Sequence, residues 1–266
     1  MIYYNKNSNK KVNFKDKTDF FITLDFDKTI TTKDSANSWS ALGSEEGFCK
    51  DVYEETGRLY KYYSQIEVNY DMPFDIRKEK VIEWYKKDLD VFYKYNLTED
   101  ILNKCIDIAK LEFRAGLKDL FKWCYENNII VVIVSAGIKN LIEELLKREE
   151  CYYENICILS NKLKFENGKM KEFDGHLIHT YNKNMNRLPK KIKEEIQKKN
   201  NILLFGDLIE DIGIVDDKDL YKTLTIGFLE NNVEENLDVY QENYDIVLTG
   251  EDATFSKAIE LIKLKE

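Results

Sequence analysis

Asp25 and Asp27 stand one residue apart at the end of an apolar run, Phe20-Phe-Ile-Thr-Leu24, and Lys28-Thr-Ile-Thr31 follows them. In extended backbone alternate side chains share a face, so both carboxylates point the same way. Two like charges so close are unfavourable unless a cation sits between them or one keeps a proton. The pair therefore suits metal-assisted or acid–base chemistry. Asp-x-Asp is also common at turns, but the buried-strand composition before it and the Lys-Thr-Ile-Thr after it favour a chemical role. Three more segments offer matching groups. Val134-Ser135-Ala136-Gly137 is a small-residue turn leading into a helix, where backbone N–H groups and the Ser135 hydroxyl could hold a phosphate. Tyr181-Asn182-Lys183 supplies an ammonium, and Gly206-Asp207 with Asp211 places two more carboxylates at a turn. Singly, these read as an ordinary turn, a solvated lysine and a helix N-cap. Jointly, in this order on an α/β pattern, coincidence is a poor explanation.

The elements that must position these groups follow from periodicity. Residues 20–24 suit a strand buried on both faces of a parallel sheet, and ligands bind at the carboxyl ends of such strands. Residues 1–18 read as a polar leader. Residues 33–113 contain no convincing strand but three helical patterns, at 45–65, 76–88 and 97–113, with Thr98 as an N-cap. From 114 onward helices alternate with short apolar strands at 129–134, 156–159, 202–205, 223–226 and 246–248. Residues 163–178 carry Glu-Asn-Gly and Asp-Gly turn signals and read as a hairpin. The expected fold is α/β, a doubly wound parallel sheet with a helical cap inserted after the first strand. Residues 1–32 and 114–266 would form the core and 33–113 the cap.

Composition narrows the function. The 266 residues carry a formal net charge of −9, which argues against a general nucleic-acid binder. The five cysteines are scattered without a Cys-x-x-Cys, as expected of reduced thiols in a cytoplasmic protein. No apolar stretch is long enough to cross a bilayer and the opening residues lack a signal-peptide apolar region. The expectation is a cytoplasmic monomer that engages no membrane.

The motifs go further than their chemistry. Asp25-Phe-Asp-Lys-Thr-Ile-Thr, Ser135-Ala-Gly-Ile, Ser160-Asn, Phe173-Asp-Gly-His-Leu-Ile-His179, Tyr181-Asn-Lys183, Leu204-Phe-Gly-Asp207 and Ile226-Gly-Phe-Leu resemble, in type and order, the haloacid dehalogenase-like hydrolases and within them the cytosolic 5′-nucleotidase III (pyrimidine 5′-nucleotidase) family. The resemblance is dense over 111–248 and patchier in the cap, where Ile66-Glu67-Val68 and Glu83-Trp-Tyr85 anchor it. It implies hydrolysis of nucleoside 5′-monophosphates through an aspartyl-phosphate, with Asp25 as nucleophile and Asp27 as acid and base. It further implies one Mg²⁺ held by Asp25, the Asp27 carbonyl and Asp207, with Asp211 orienting that shell. Ser135, the Ala136 amide and Lys183 would hold the phosphoryl oxygens. In the cap a family glutamate meets the base, and Glu67 stands at its place. Counting on through Glu83-Trp-Tyr85 brings a family serine position to Asp88, a departure that adds a carboxylate and points to a donor-rich or cationic base. Trp39, Tyr53, Tyr60, Tyr63 and Trp84 are candidate stacking partners. His176 and His179 have no role in this chemistry. Two other readings stay open: a phosphatase of a small metabolite such as phosphoserine or a sugar phosphate, and a non-catalytic partner-binding protein on the same fold.

Overall fold

The computed structural model describes residues 1–8, 10, 12–35, 50–69, 71–174 and 176–262. Along the chain, β1 (Ile2–Tyr4) and β2 (Phe20–Leu24) precede three helices, α1 (Lys50–Glu67), α2 (Phe74–Lys94) and α3 (Glu99–Ala109). Then come α4 (Leu117–Glu126), β3 (Val131–Ile138), α5 (Lys139–Arg148), β4 (Ile156–Glu166) and β5 (Lys169–Asp174). The chain finishes with α6 (Lys190–Ile196), β6 (Asn201–Gly206), β7 (Thr223–Phe228), α7 (Val233–Asn243), β8 (Ile246–Leu248) and α8 (Phe255–Leu261).

The eight strands form one sheet in the order β1-β8-β7-β6-β2-β3-β4-β5. Every neighbouring pair is parallel except the two at the edges, β1 on β8 and β5 on β4. Alternation along β2 divides the core. Phe20, Ile22 and Leu24 pack with Leu120 and Phe121 of α4, Leu141 and Leu145 of α5 and Phe255 of α8, while Phe21 packs with Ile196 of α6 and Tyr240 of α7. This is a three-layer, doubly wound α/β fold, as the alternation of strands and helices predicted. From β2 the sheet grows one way through β3 and β4 and the other way through β6, β7 and β8. The carboxyl end of β2 is therefore the switch point where a crevice must open.

Local detail differs from the sequence expectation in two places. The leader is not merely polar. Ile2–Tyr4 pairs antiparallel with β8, and buried Asp245 gathers Ser8 Oγ at 2.5 Å, Lys10 Nζ at 2.9 Å and Thr225 Oγ1 at 2.9 Å. A three-residue strand is too short to show a period, and its partner lies at the far end of the chain. The Ser135–Gly137 segment leads into a helix as expected, but it belongs to β3 and is not a separate turn. Val134 pairs with Leu159 and Ile138 with Asn161, so β3 spends four residues where β4 spends two, and α5 begins only at Lys139. The segment is a bulge near the carboxyl end of β3, beside the switch point. Thr98 caps α3 as expected, accepting from the Ile101 N–H at 3.2 Å. The hairpin is β4–β5, turning at Asn167-Gly168 with both residues at positive φ.

Candidate active site

The crevice at the end of β2 is a cavity of about 210 Å³ roofed by α1 and α2. Asp25 follows directly from the strand and is buried. Its Oδ1 accepts from Lys183 Nζ at 2.6 Å, and the same ammonium donates to Asp211 Oδ1 at 2.8 Å. Asp211 is wholly buried; its other oxygen accepts from the Asp207 and Leu208 N–H groups at 3.1 and 2.9 Å. Gly206 permits this packing, because a Cβ there would lie 2.6 Å from the Asp211 Cβ. Asp207 Oδ1 accepts from Thr29 Oγ1 at 3.2 Å. Carboxylate oxygens of Asp25, Asp207 and Asp211 lie within 4.8 Å of one another. Three hard oxygen donors against one ammonium form an acidic cluster suited to a hard divalent cation. Burial pushes Asp25 up to about 7, with Asp211 and Asp27 adding to that push against the opposing ammonium of Lys183. Asp207 is raised as well, by burial and then by Asp211 and Asp25.

Asp27 stands apart from the acidic cluster. Its Oδ1 accepts from the Ser35 N–H at 2.6 Å, and burial, reinforced by Asp34, pushes it up to about 6. A carboxyl with that value can both give and take a proton near neutrality. The bulge of β3 comes up beside it: a Cβ on Gly137 would meet Asp27 Oδ2 and Ser135 Oγ at 3.2 Å each, a contact that one or both side chains would have to yield to. Ser135 is fully buried, its Oγ accepting from the Gly137 N–H at 2.9 Å. The Ser160-Asn161 pair holds the bulge from behind. Ser160 Oγ donates to Gly137 O at 2.6 Å and Asn161 Nδ2 to Ala136 O at 2.7 Å.

One contributor, Arg114, carried no legible signal. Arg114, 2% exposed, donates to Thr29 O at 2.9 Å, to Ala253 O at 2.6 Å and to Lys28 O, pairs with Glu230 and lies over the Phe228 ring at 4.2 Å. It clamps the turn after the aspartate pair, in which Lys28 holds a left-handed φ of 58°. An isolated arginine between a helical pattern and a glycine reads as surface; its role emerges only where the carbonyls of Lys28, Thr29 and Ala253 converge on it.

The remaining expectations fall on the roof. Glu67, at the end of α1, lines the cavity; its carboxylate accepts from Thr180 Oγ1. Asp88 of α2 also lines it, and among the described residues no well-formed hydrogen bond satisfies its buried Oδ1. Burial pushes Asp88 up to about 7, opposed only by the nearby Trp84 indole, whose own N–H lacks a well-formed bond. Trp84 is largely occupied, stacked on Tyr63 at 5.9 Å, whereas Tyr60 is 40% exposed and faces the cavity. Tyr53 does not line the cavity, and Trp39 lies outside the described residues. His179 accepts from the Tyr181 N–H through Nδ1 at 3.2 Å, and His176 lends its carbonyl to Arg187 at 3.2 Å.

Solved structures share this fold with the haloacid dehalogenase-like phosphohydrolases. A phosphoserine phosphatase, captured as a phospho-aspartyl intermediate analogue, matches with a TM-score of 0.59 at 16% identity over 91% of this chain and 98% of that one, a likeness of fold alone. Cytosolic 5′-nucleotidase IIIB bound to cytidine matches with a TM-score of 0.76 at 25% identity, covering 93% and 86%. Among curated relatives, the 7-methylguanosine phosphate-specific 5′-nucleotidase of Mus musculus is 32% identical over 238 residues, which is 85% of this chain and 78% of the relative. The Homo sapiens protein of that name is 31% identical over the same shares. The chain belongs to the pyrimidine 5′-nucleotidase (UMPH-1) family, whose model matches residues 26–264. It is accordingly a phosphomonoester hydrolase of the 5′-nucleotidase type. Among the described residues no helix is long and apolar enough to cross a membrane.

Proposed function

We propose that this chain is a Mg²⁺-dependent nucleoside 5′-monophosphatase that favours a cationic purine base, working as a cytoplasmic monomer with residues 33–113 as its cap. The observation that carries the base preference is the Asp88 Oδ1 on the cavity roof, buried and without a well-formed hydrogen bond among the described residues, with Glu67 as a second acid lining the same cavity. The cavity as a whole is lined by six carboxylates, Asp25, Asp27, Asp34, Glu67, Asp88 and Asp207, against two ammoniums, Lys28 and Lys183. A dianionic phosphate enters so acidic a space only with a bound cation at one end and favourable charge at the other. N7-methylation makes guanine a cation, and the relatives named for 7-methylguanosine phosphate accord with this reading. The exposed face of Tyr60 offers a stacking surface that a small metabolite such as phosphoserine would not need.

In this reading Asp25 attacks phosphorus through its free carboxylate oxygen while Asp27 gives its proton to the departing ribose oxygen. A water then attacks the aspartyl-phosphate as Asp27 takes the proton back, releasing phosphate and restoring Asp25. Ser135, the Ala136 N–H and Lys183 hold the phosphoryl oxygens and offset charge that grows during transfer. Asp25, Asp207 and the Asp27 carbonyl would hold Mg²⁺, which supplies further charge neutralisation, and Asp211, with both oxygens engaged by protein donors, would orient that set.

A phosphate-release screen over 7-methylguanosine, guanosine, cytidine and uridine 5′-monophosphates, with phosphoserine alongside, tests the reading. Highest kcat/KM on the methylated purine supports it; a preference for phosphoserine or uridine monophosphate sinks the base assignment. Chelation is expected to abolish turnover and Mg²⁺ to restore it. Independently of turnover, Mg²⁺ at a hundredfold above its Kd should stabilise the fold by about 2.7 kcal/mol, read as a rise in Tm. An unmoved Tm would remove the metal from the acidic cluster.

Asp88 makes a separate prediction. Burial raises it from 3.8 to about 7, so between those values the folded chain holds a proton that the unfolded chain has released. Stability therefore falls as pH rises through that window. Asp88→Asn should stabilise the free protein at pH 8 by on the order of a few kcal/mol and leave it unchanged at pH 3. The same variant should lower discrimination for the methylated over the unmethylated purine about tenfold. A flat difference in Tm across pH would refute the buried-carboxylate account.

A further inference from the structure

We propose that Thr180 is a positioning residue for base recognition: the core segment 180–183 grips the cap glutamate Glu67 at one end and the nucleophile Asp25 at the other, so the core, not the cap, sets the separation at which base and phosphate are read. This rests on the reading of Glu67 as the base-facing acid.

Thr180 is buried and opens a one-turn 3-10 helix, Thr180–Asn182. The turn is tied at both ends. His179 N–H donates to Asn182 Oδ1 at 2.8 Å, Asn182 Nδ2 donates to Leu177 O at 2.9 Å, and Tyr181 N–H donates to His179 Nδ1. From this turn Thr180 Oγ1 donates to Glu67 Oε1 across 113 residues of chain. Tyr181 OH adds a bond to Glu67 O at 2.7 Å, and Arg77 donates to that carbonyl at 3.1 Å while its guanidinium stacks over the Tyr181 ring at 5.5 Å. Three residues past Thr180, Lys183 donates to Asp25. Glu67 is thus fixed at its side chain and its backbone by the segment that also holds the phosphate-site lysine.

The type of partner matters as much as its place. Thr180 meets Glu67 with a hydroxyl, which carries one proton and no charge, so Glu67 is oriented without being neutralised. Glu67 lines the cavity with its Oε1 held by Thr180, which leaves an oriented acceptor facing the space where the base would sit; burial raises its proton affinity, and the Thr180 hydroxyl opposes that rise. A lysine at 180 would quench that charge; an apolar residue would let the carboxylate swing. Registering two recognition groups on one rigid turn also reduces the ordering cost of productive binding.

Steady-state kinetics on Thr180→Val, Thr180→Ser and Glu67→Gln tests this, with 7-methylguanosine 5′-monophosphate and p-nitrophenyl phosphate, which has no base, as the two substrates. Thr180→Val is nearly isosteric and is expected to raise the ratio of nucleotide KM to aryl phosphate KM about tenfold, the scale of one hydrogen bond to a charged group. Thr180→Ser should restore the ratio, which a volume effect at 180 would not. The inference is overturned if Thr180→Val raises both KM values alike, or if it leaves the ratio unchanged while Glu67→Gln raises it. If Glu67→Gln itself leaves the ratio unchanged, the base-facing role of Glu67 fails first, and this inference with it.

Discussion

Asp25→Asn should lower kcat by on the order of 10⁴-fold or more, the scale seen when an enzyme loses its nucleophile. The substitution keeps shape and nearly keeps volume, so the effect isolates the attacking oxygen. Lys183 retains its 2.8 Å bond to Asp211, which prevents the ammonium from being left buried without a counter-charge. One of three crowded carboxylates also disappears from the cluster, and the pair repulsion that Asp211 and Asp27 exert on Asp25 goes with it. The variant should therefore fold normally, with a Tm at pH 8 no lower than that of the parent, while binding a nucleoside monophosphate that it cannot turn over. Acid quenching of the parent during turnover should trap phosphate on the chain; the variant should trap none. Residual activity above one hundredth of the parent would remove Asp25 from the role of nucleophile.

Lys183→Met should cost both activity and stability. Loss of one preorganised charged donor at a transferring phosphoryl group lowers kcat by about 10²–10³-fold. The stability cost has a different origin. Lys183 is 7% exposed and is shared by Asp25 at 2.6 Å and Asp211 at 2.8 Å. Removing the shared cation leaves uncompensated buried carboxylates, a change that destabilises by about 3–5 kcal/mol in comparable sites. The pH dependence follows from the direction of the Asp25 shift. With Lys183 present the carboxyl already titrates at about 7, against 3.8 ordinarily; without the ammonium it rises further. Up to about 7 both folded proteins carry that proton, so the deficit is level there; it grows as pH rises above about 7, where the parent has released the proton and the variant still holds it. Melting curves of the two proteins at pH 5 and 8 would show the divergence, and Mg²⁺ should narrow it at pH 8 by standing in for the missing charge. A deficit that is equal at both pH values would mean that Lys183 contributes through packing alone.

What was legible in the sequence was what short-range patterns encode. The run 20–24 announces a strand buried on both faces because apolar and β-branched residues occupy both sets of alternate positions, and Asp25 and Asp27 mark its end because charges cannot continue it. Helix alternation from 114 onward announces the doubly wound sheet, and that sheet places the crevice at the end of β2. Thr98 and the Asn167-Gly168 turn could be read because caps and hairpin turns are decided within four residues. Beyond that, the motif order carried the resemblance from which the remaining roles came.

Tertiary structure decided everything that depends on which distant groups meet. That the Ser135 segment is an irregularity within β3 and not a plain turn depends on how many residues β4 places beside it, which β3 alone does not encode. Arg114 and Lys10 look like surface cations until the turn at Lys28 and the carboxylate of Asp245 close around them. Lys183 meets Asp25 across 158 residues and Asp211 across 28, and Asp88 has an unusual proton affinity only because packing of α2 removes it from water without supplying a cation. Spacing reports the face on which a side chain lies; it does not report what the chain brings against that face, because burial and pairing energies arise between elements and not along them. For this protein the sequence determined the fold and the two aspartates at its switch point. Only the folded chain decided which carboxylates share a cation, which are held by a hydroxyl, and which one, Asp88, keeps a buried oxygen without a well-formed hydrogen bond among the described residues.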